Sequence, residues 1–97
     1  MEITFTGEIW YWRGPSPYYF VTVPDPQVEV MKDEWTFASY GWGMLPVNVR
    51  IGTTTFTTSL FPKEGRYVVP IKDVVRRAEH LDEGDVPTLT LTLRTDR

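Results

Sequence analysis

The side chains with the most chemical reach in this 97-residue chain are its rings and its guanidinium groups, not its nucleophiles. It holds four tryptophans, five tyrosines and five phenylalanines, and ten of these fourteen lie between residues 10 and 42. Trp10, Tyr11 and Trp12 are consecutive, as are Tyr18, Tyr19 and Phe20. Successive side chains on a strand alternate between faces, so neither triplet can hide all its rings in one core. The surplus rings must lie under a helix, in an interface, or in a groove with Trp42. Aromatic side chains are enriched in interfaces and ligand pockets. Trp10, Trp12, Tyr19 and Trp42 are therefore the candidate ligand-binding residues, with Arg50 as a cation that a pocket could use. The competing structural explanation is a second ordinary core, formed if residues 26–40 cover the outside of the sheet.

Basic residues gather later in the chain. Lys63, Arg66, Lys72, Arg76 and Arg77 fall within fifteen residues, against Glu64 and Asp73, a local charge of +3. Arg66, Lys72, Arg76 and Arg77 are the candidates for an alternative, nucleic-acid-binding role, since guanidinium groups grip phosphate. A net charge of −3 opposes that reading, and the solvated face of an amphipathic helix would show the same spacing.

Catalytic and metal chemistry lack their usual constellations. There is no cysteine, and His80 is the only histidine. Thiolate sites and multi-histidine metal sites are thereby excluded. No Gly-x-Ser-x-Gly surrounds Ser59, and Asp82, Glu83 and Asp85 lack the twelve-residue loop of an EF-hand. Asp85 beside Gly84 is expected to accept backbone N–H groups of its own turn. No catalytic residue, metal or cofactor is assigned.

The elements that must position these residues follow from periodicity. Residues 2–12 read as one strand bent at Gly7, and Arg13 to Pro17 as a turn. Tyr18 to Val23 is the hairpin partner. Asp25 suits an N-cap with Pro26 at the first helical position, so Val28, Met31 and Trp35 predict a helix over 26–35. A strand at Val28-Glu29-Val30 is the rival. Pro46 to Ile51 and Thr54 to Phe61 form a second hairpin about Gly52-Thr53, with Phe56 as core anchor. Pro62 to Gly65 turns, and Arg66 to Val69 is a short strand ending at Pro70. Ile71, Val74, Val75 and Ala78 then recur as a helical stripe, closed by His80 and Leu81, with Asp73 able to pair with Arg77. Thr88 to Thr95 is the last strand, with Leu89, Leu91 and Leu93 inward. Five to seven short strands with one or two short helices predict a single, mainly β domain over 1–97, curled into a small barrel.

Several of these pieces together resemble a known family. Trp42-Gly43, Pro46-Val47, Ile51-Gly52, Thr58 to Pro62, Gly65 to Pro70, Val75-Arg76 and Gly84-Asp85 are similar to the bacterial family catalogued as domain of unknown function 1905. The resemblance implies a double-split β-barrel, a pseudobarrel with short capping helices, related to AbrB/MazE-like proteins that bind DNA as intertwined dimers. It implies no catalytic residue. Pro87 departs from the pattern of the Gly-Asp unit, which makes Thr88 the start of the last strand.

The leading expectation is a non-enzymatic barrel that binds a small molecule, peptide or protein partner through its aromatic surface. Nucleic-acid binding through the basic helix is the alternative, and an enzyme of unknown class the third. Both halves of a barrel lie in one chain, which favours a monomer over a homodimer. Glu2, Thr4, Thr6 and Glu8 interrupt any apolar leader and no run is long enough to span a membrane, so cytoplasmic residence is the default.

Overall fold

The computed structural model describes residues 2–30, 44–63 and 65–94. Among the described residues, seven antiparallel strands make one curled sheet, a half-barrel: β1 Glu2–Thr6, β2 Ile9–Trp12, β3 Tyr18–Thr22, β4 Leu45–Ile51, β5 Thr54–Lys63, β6 Arg66–Ile71 and β7 Thr88–Leu93. Their order across the sheet is β1-β7-β4-β5-β6-β3-β2. Residues 25–30 are helical (α1), and Asp73–Glu79 forms α2. The mainly β architecture expected from the alternation is the one observed.

Alternation fills the concave face. Ile3 and Phe5 of β1, Val47, Val49 and Ile51 of β4, and Leu89, Leu91 and Leu93 of β7 are all buried in one cluster with Val21, Leu60, Val69 and Ile71. Each fully buried aliphatic side chain contributes about 1.5–3 kcal/mol relative to exposure. Phe56, expected as a core anchor, is only half-buried and packs against the margin of this cluster.

The strand expected over 2–12 is two strands, and they lie on opposite edges of the sheet. Gly7 carries the chain between them, passing so close to Val21 that an added Cβ would come within 2.7 Å of its Cγ1. The gap is bridged by backbone. Gly7 N–H donates to Pro87 O (3.2 Å), Ile9 N–H to Asp85 O (2.8 Å), and Gly84 N–H to Ile9 O (2.8 Å). Pro87 thus serves as an acceptor just before β7, where its missing N–H is not needed. The Asp82 N–H donates to Asp85 Oδ2 at 2.8 Å, the turn role anticipated for Asp85.

Two prolines expected to end strands lie inside them. Pro62 pairs with Tyr67 in β5–β6, and Pro70 pairs with Phe20 in β6–β3. The β4–β5 register ends at Leu60 and the β5–β6 register at Val68. Each proline therefore sits where its strand has one neighbour, and the absent donor can face the unpaired side. β5 and β6 diverge beyond this point, and α2 lies beside the β5 edge, where Lys72 Nζ donates to Thr57 O at 3.1 Å.

The helix starts later than its periodicity suggested. Ile71 belongs to β6, and Lys72 is the N-cap position of α2. Val75 is its one buried residue, whereas Val74 is 60% exposed and Ala78 is exposed too. A helix of seven residues lying across the end of a sheet presents one turn to the core, too little for a full stripe. Leu81 completes the contact from just beyond the helix. His80 ends α2 in the left-handed region (φ 56°), and Leu81 N–H donates to Arg76 O at 2.9 Å. Asp73 pairs with Arg76 at 3.3 Å, one residue short of the expected Arg77.

At α1, Pro24 O accepts from Gln27 and Val28 N–H, both 3.1 Å, which overturns the rival strand at Val28–Val30. The helix begins at Asp25, one residue before Pro26, so the cap position is Pro24. Met31, Trp35 and the segment from Thr36 to Trp42 lie outside the described residues.

Glu79 ties α2 to the β4–β5 hairpin by accepting from the Thr54 and Thr53 hydroxyls. The Thr54 hydroxyl first, with the Thr53 groups, holds its carboxyl below the ordinary glutamate range. A lowered native pKa means that the ionised form is favoured by folding. The stability advantage over Glu79→Gln in urea melts should be full at pH 7, shrink below the unfolded-state value of about 4.3, and vanish once the pH passes the lower native value. Leu91→Ala should cost about 2–5 kcal/mol in the same melts, and Val74→Ala should stay within about 0.5 kcal/mol of the parent.

Candidate functional site

The β2–β3 register pairs Ile9 with Val21, Trp10 with Phe20, Tyr11 with Tyr19 and Trp12 with Tyr18. Ile9 and Val21 point into the core, so Trp10, Trp12, Tyr18 and Phe20 share the convex face. Pairing continues from Phe20 to Pro70, from Thr22 to Val68, and from Val68 to Phe61. The convex face of four strands thus gathers Trp10, Trp12, Tyr18, Phe20, Phe61 and, two residues on, Lys63. Phe20 and Val68 are buried yet stand outside the core cluster, as members of this opposite face.

Phe20 is the hub. Its ring centroid lies 5.3 Å from Trp10, 6.4 Å from Trp12, 5.7 Å from Tyr18 and 5.6 Å from Phe61, all tilted or edge-on. Such pairs are each worth about 0.5–1.5 kcal/mol beyond area burial. Trp10 Nε1 donates to Thr22 Oγ1 at 3.0 Å, which fixes the indole orientation. Trp12 has two close neighbours. The Gly14 backbone lies so near the indole that a Cβ there would fall 2.3 Å from Cζ2, and Lys63 Nζ sits 3.3 Å from the ring centroid. Trp10, Trp12 and Tyr18 remain half-buried, leaving part of each ring open. Burial and the nearby Asp73 carboxylate raise the Tyr18 phenol above the ordinary tyrosine value, so it stays a hydrogen-bond donor at neutral pH.

Tyr11 and Tyr19 are on the other side of the same hairpin, 4.7 Å apart. The Arg76 guanidinium carbon lies 3.7 Å over the Tyr19 ring, and Arg13 lies 5.5 Å from Tyr11. Arg76 is only 17% exposed; Nη1 donates to Leu81 O at 3.2 Å, and Asp73 and Asp82 flank it at 3.3 and 3.7 Å. Its Nε is buried without a hydrogen-bond partner. Arg76 thus seals the rim of the half-barrel, beside an open cleft of about 300 Å³ lined by Arg77, His80, Leu81 and Asp82.

The predicted ligand-binding residues are therefore divided. Trp10 and Trp12 lie together on the convex face, Tyr19 lies on the concave rim under Arg76, and Arg50 stands apart on β4. Arg50 is exposed in a shallow recess of about 130 Å³ with Glu2, Asn48, Thr55, Thr90 and Thr92. Trp42 lies outside the described residues. Of the basic set, Arg66 pairs with Asp25 at 3.6 Å, Lys72 reaches β5, and Arg76 is enclosed, while Arg77 is exposed. Tyr18, Phe20, Phe61 and Lys63 are neighbours of the tryptophans that the sequence pattern does not single out. The period of two already places Tyr18 with Phe20; Lys63 is expected in a turn, whereas β5 runs on to Lys63, and the β5–β6–β3 register that joins the rings is not visible in the sequence.

The fold and this face define a β half-barrel domain with an aromatic convex surface. Residues 5–91 match the family described as a domain of unknown function, DUF1905, and the chain belongs to that family. Comparison with curated proteins gives no match. Among the described residues, no three His, Asp or Glu side chains gather as a metal-ligand set.

Gly14→Val should push the Trp12 indole out of its slot. The expected result is a red-shifted tryptophan emission and a loss of about 1–3 kcal/mol in denaturant melts, the usual cost of overpacking.

Proposed function

We propose that this chain is a binding domain whose ligand seats on the convex face formed by Trp10, Trp12, Tyr18, Phe20 and Phe61. One observation carries the reading: five rings gather on the side of the sheet away from the aliphatic core, and all but Phe20 stay half-open. Fixed orientation of Trp10 by Thr22, and of Trp12 by Gly14, supports pre-organisation for a partner. Nucleic-acid binding has less support, because Arg66 and Arg76 already pair with Asp25, Asp73 and Asp82.

Phenol and isopropanol are suitable probes, titrated into ¹⁵N-labelled protein. Shifts should concentrate on the indole N–H groups of Trp10 and Trp12 and on the backbone of residues 18–22 and 61–63. Trp12→Leu, which leaves the concave core intact, should weaken phenol binding about tenfold, consistent with loss of a central ring anchor. Shifts scattered over the surface, or centred on the Arg76–Asp82 cleft, would overturn the reading.

A further inference from the structure

We infer that the convex face recognises an alkylammonium group of a small-molecule ligand, and that Lys63 is the internal occupant of that position. This rests on the proposed binding face and names the chemistry it selects. Lys63 Nζ lies 3.3 Å from the centroid of the Trp12 ring and 6.0 Å from that of Phe20, both within the range over which a ring quadrupole attracts a cation. The Gly14 backbone packs closely against the indole of that tryptophan, which restricts the ring's orientation. Tyr18 and Phe61 pack on Phe20, with ring centroids 5.7 and 5.6 Å away, so the second ring near the cation is itself held in place.

Ring faces supply electrostatic attraction but no hydrogen-bond acceptors. A primary ammonium loses part of its hydration when it seats there, whereas a quaternary ammonium has no N–H group to satisfy. A quaternary or heavily alkylated ammonium is therefore the better match for the site, and the flexible four-carbon stem of Lys63 lets the internal cation leave. The arrangement makes Lys63 a built-in competitor. Apparent affinity is reduced by the fraction of molecules in which the site is already filled.

Choline and its neutral isostere 3,3-dimethylbutan-1-ol discriminate charge from shape. Both are titrated at constant ionic strength into the parent chain and Lys63→Met, read by tryptophan fluorescence and the indole N–H shifts, with the amide spectrum confirming that the variant is folded. Choline should bind Lys63→Met about three- to tenfold more tightly than the parent, following removal of the competitor. The isostere should bind at least about fivefold more weakly than choline, and Trp12→Leu added to Lys63→Met should abolish choline binding. Equal binding of choline and the isostere would overturn the inference while leaving an apolar binding face in place. Choline binding unchanged by Lys63→Met, or absent from both chains, would overturn it too; the phenol and isopropanol titration then decides the fate of the face separately.

Discussion

The concave side of the curled sheet is filled by Ile, Val and Leu side chains, and Phe5 is the one ring fully buried in that cluster among the described residues. A single sheet that hides its apolar face by curling encloses a fixed volume, and close packing leaves no room to add rings without strain. The period of two then leaves a large side chain at every other position with one place to go. Trp10, Trp12, Tyr18 and Phe20 stand outside because Ile9, Val21 and their neighbours already occupy the inside. Position, pre-organisation and partial exposure of the ring cluster all descend from this packing limit.

Curling a sheet of seven strands creates two problems at its margins, and both are handled with backbone chemistry. The outer edges meet where Gly7 lets the chain cross, and the Gly84–Pro87 turn supplies partners to Gly7 and Ile9. Between β5 and β6, the sheet opens. Pro62 and Pro70 mark the stretches with one neighbour, and α2 covers part of the exposed β5 edge through Lys72 and Glu79. A short helix suffices for this purpose, since its contribution is Val75 and a few polar ties, not an apolar stripe.

Much of the architecture was legible in the residues. Alternation placed Leu89, Leu91, Leu93, Val47, Val49 and Ile51 on the inner face, and turn chemistry placed the Gly52-Thr53 hairpin and the Gly84-Asp85 turn. The errors share a cause. Pro62, Pro70 and Gly7 read as local punctuation, but their effect depends on which strands lie alongside, and pairing partners are set by tertiary structure. Ile71, Val74, Val75 and Ala78 read as a helical stripe from their apolar spacing, but Ile71 belongs to β6 and, of the other three, Val75 alone is buried.

Of the proposed binding face, the sequence marks only the rings. The two ring triplets within residues 10–20 imply rings on both faces of the sheet, and the spacing of Trp10 and Trp12 puts them on one face, as observed. Tyr19 was grouped with them although it falls one position out of phase, and Lys63 was assigned to no ring because the β5–β6–β3 register was unknown. Hydroxyl-radical footprinting of the native protein, read by mass spectrometry, tests the packing limit most directly. Trp10, Trp12 and Tyr18 should be modified readily while Phe5 stays protected until unfolding; protection of both tryptophans equal to that of Phe5 would contradict the account.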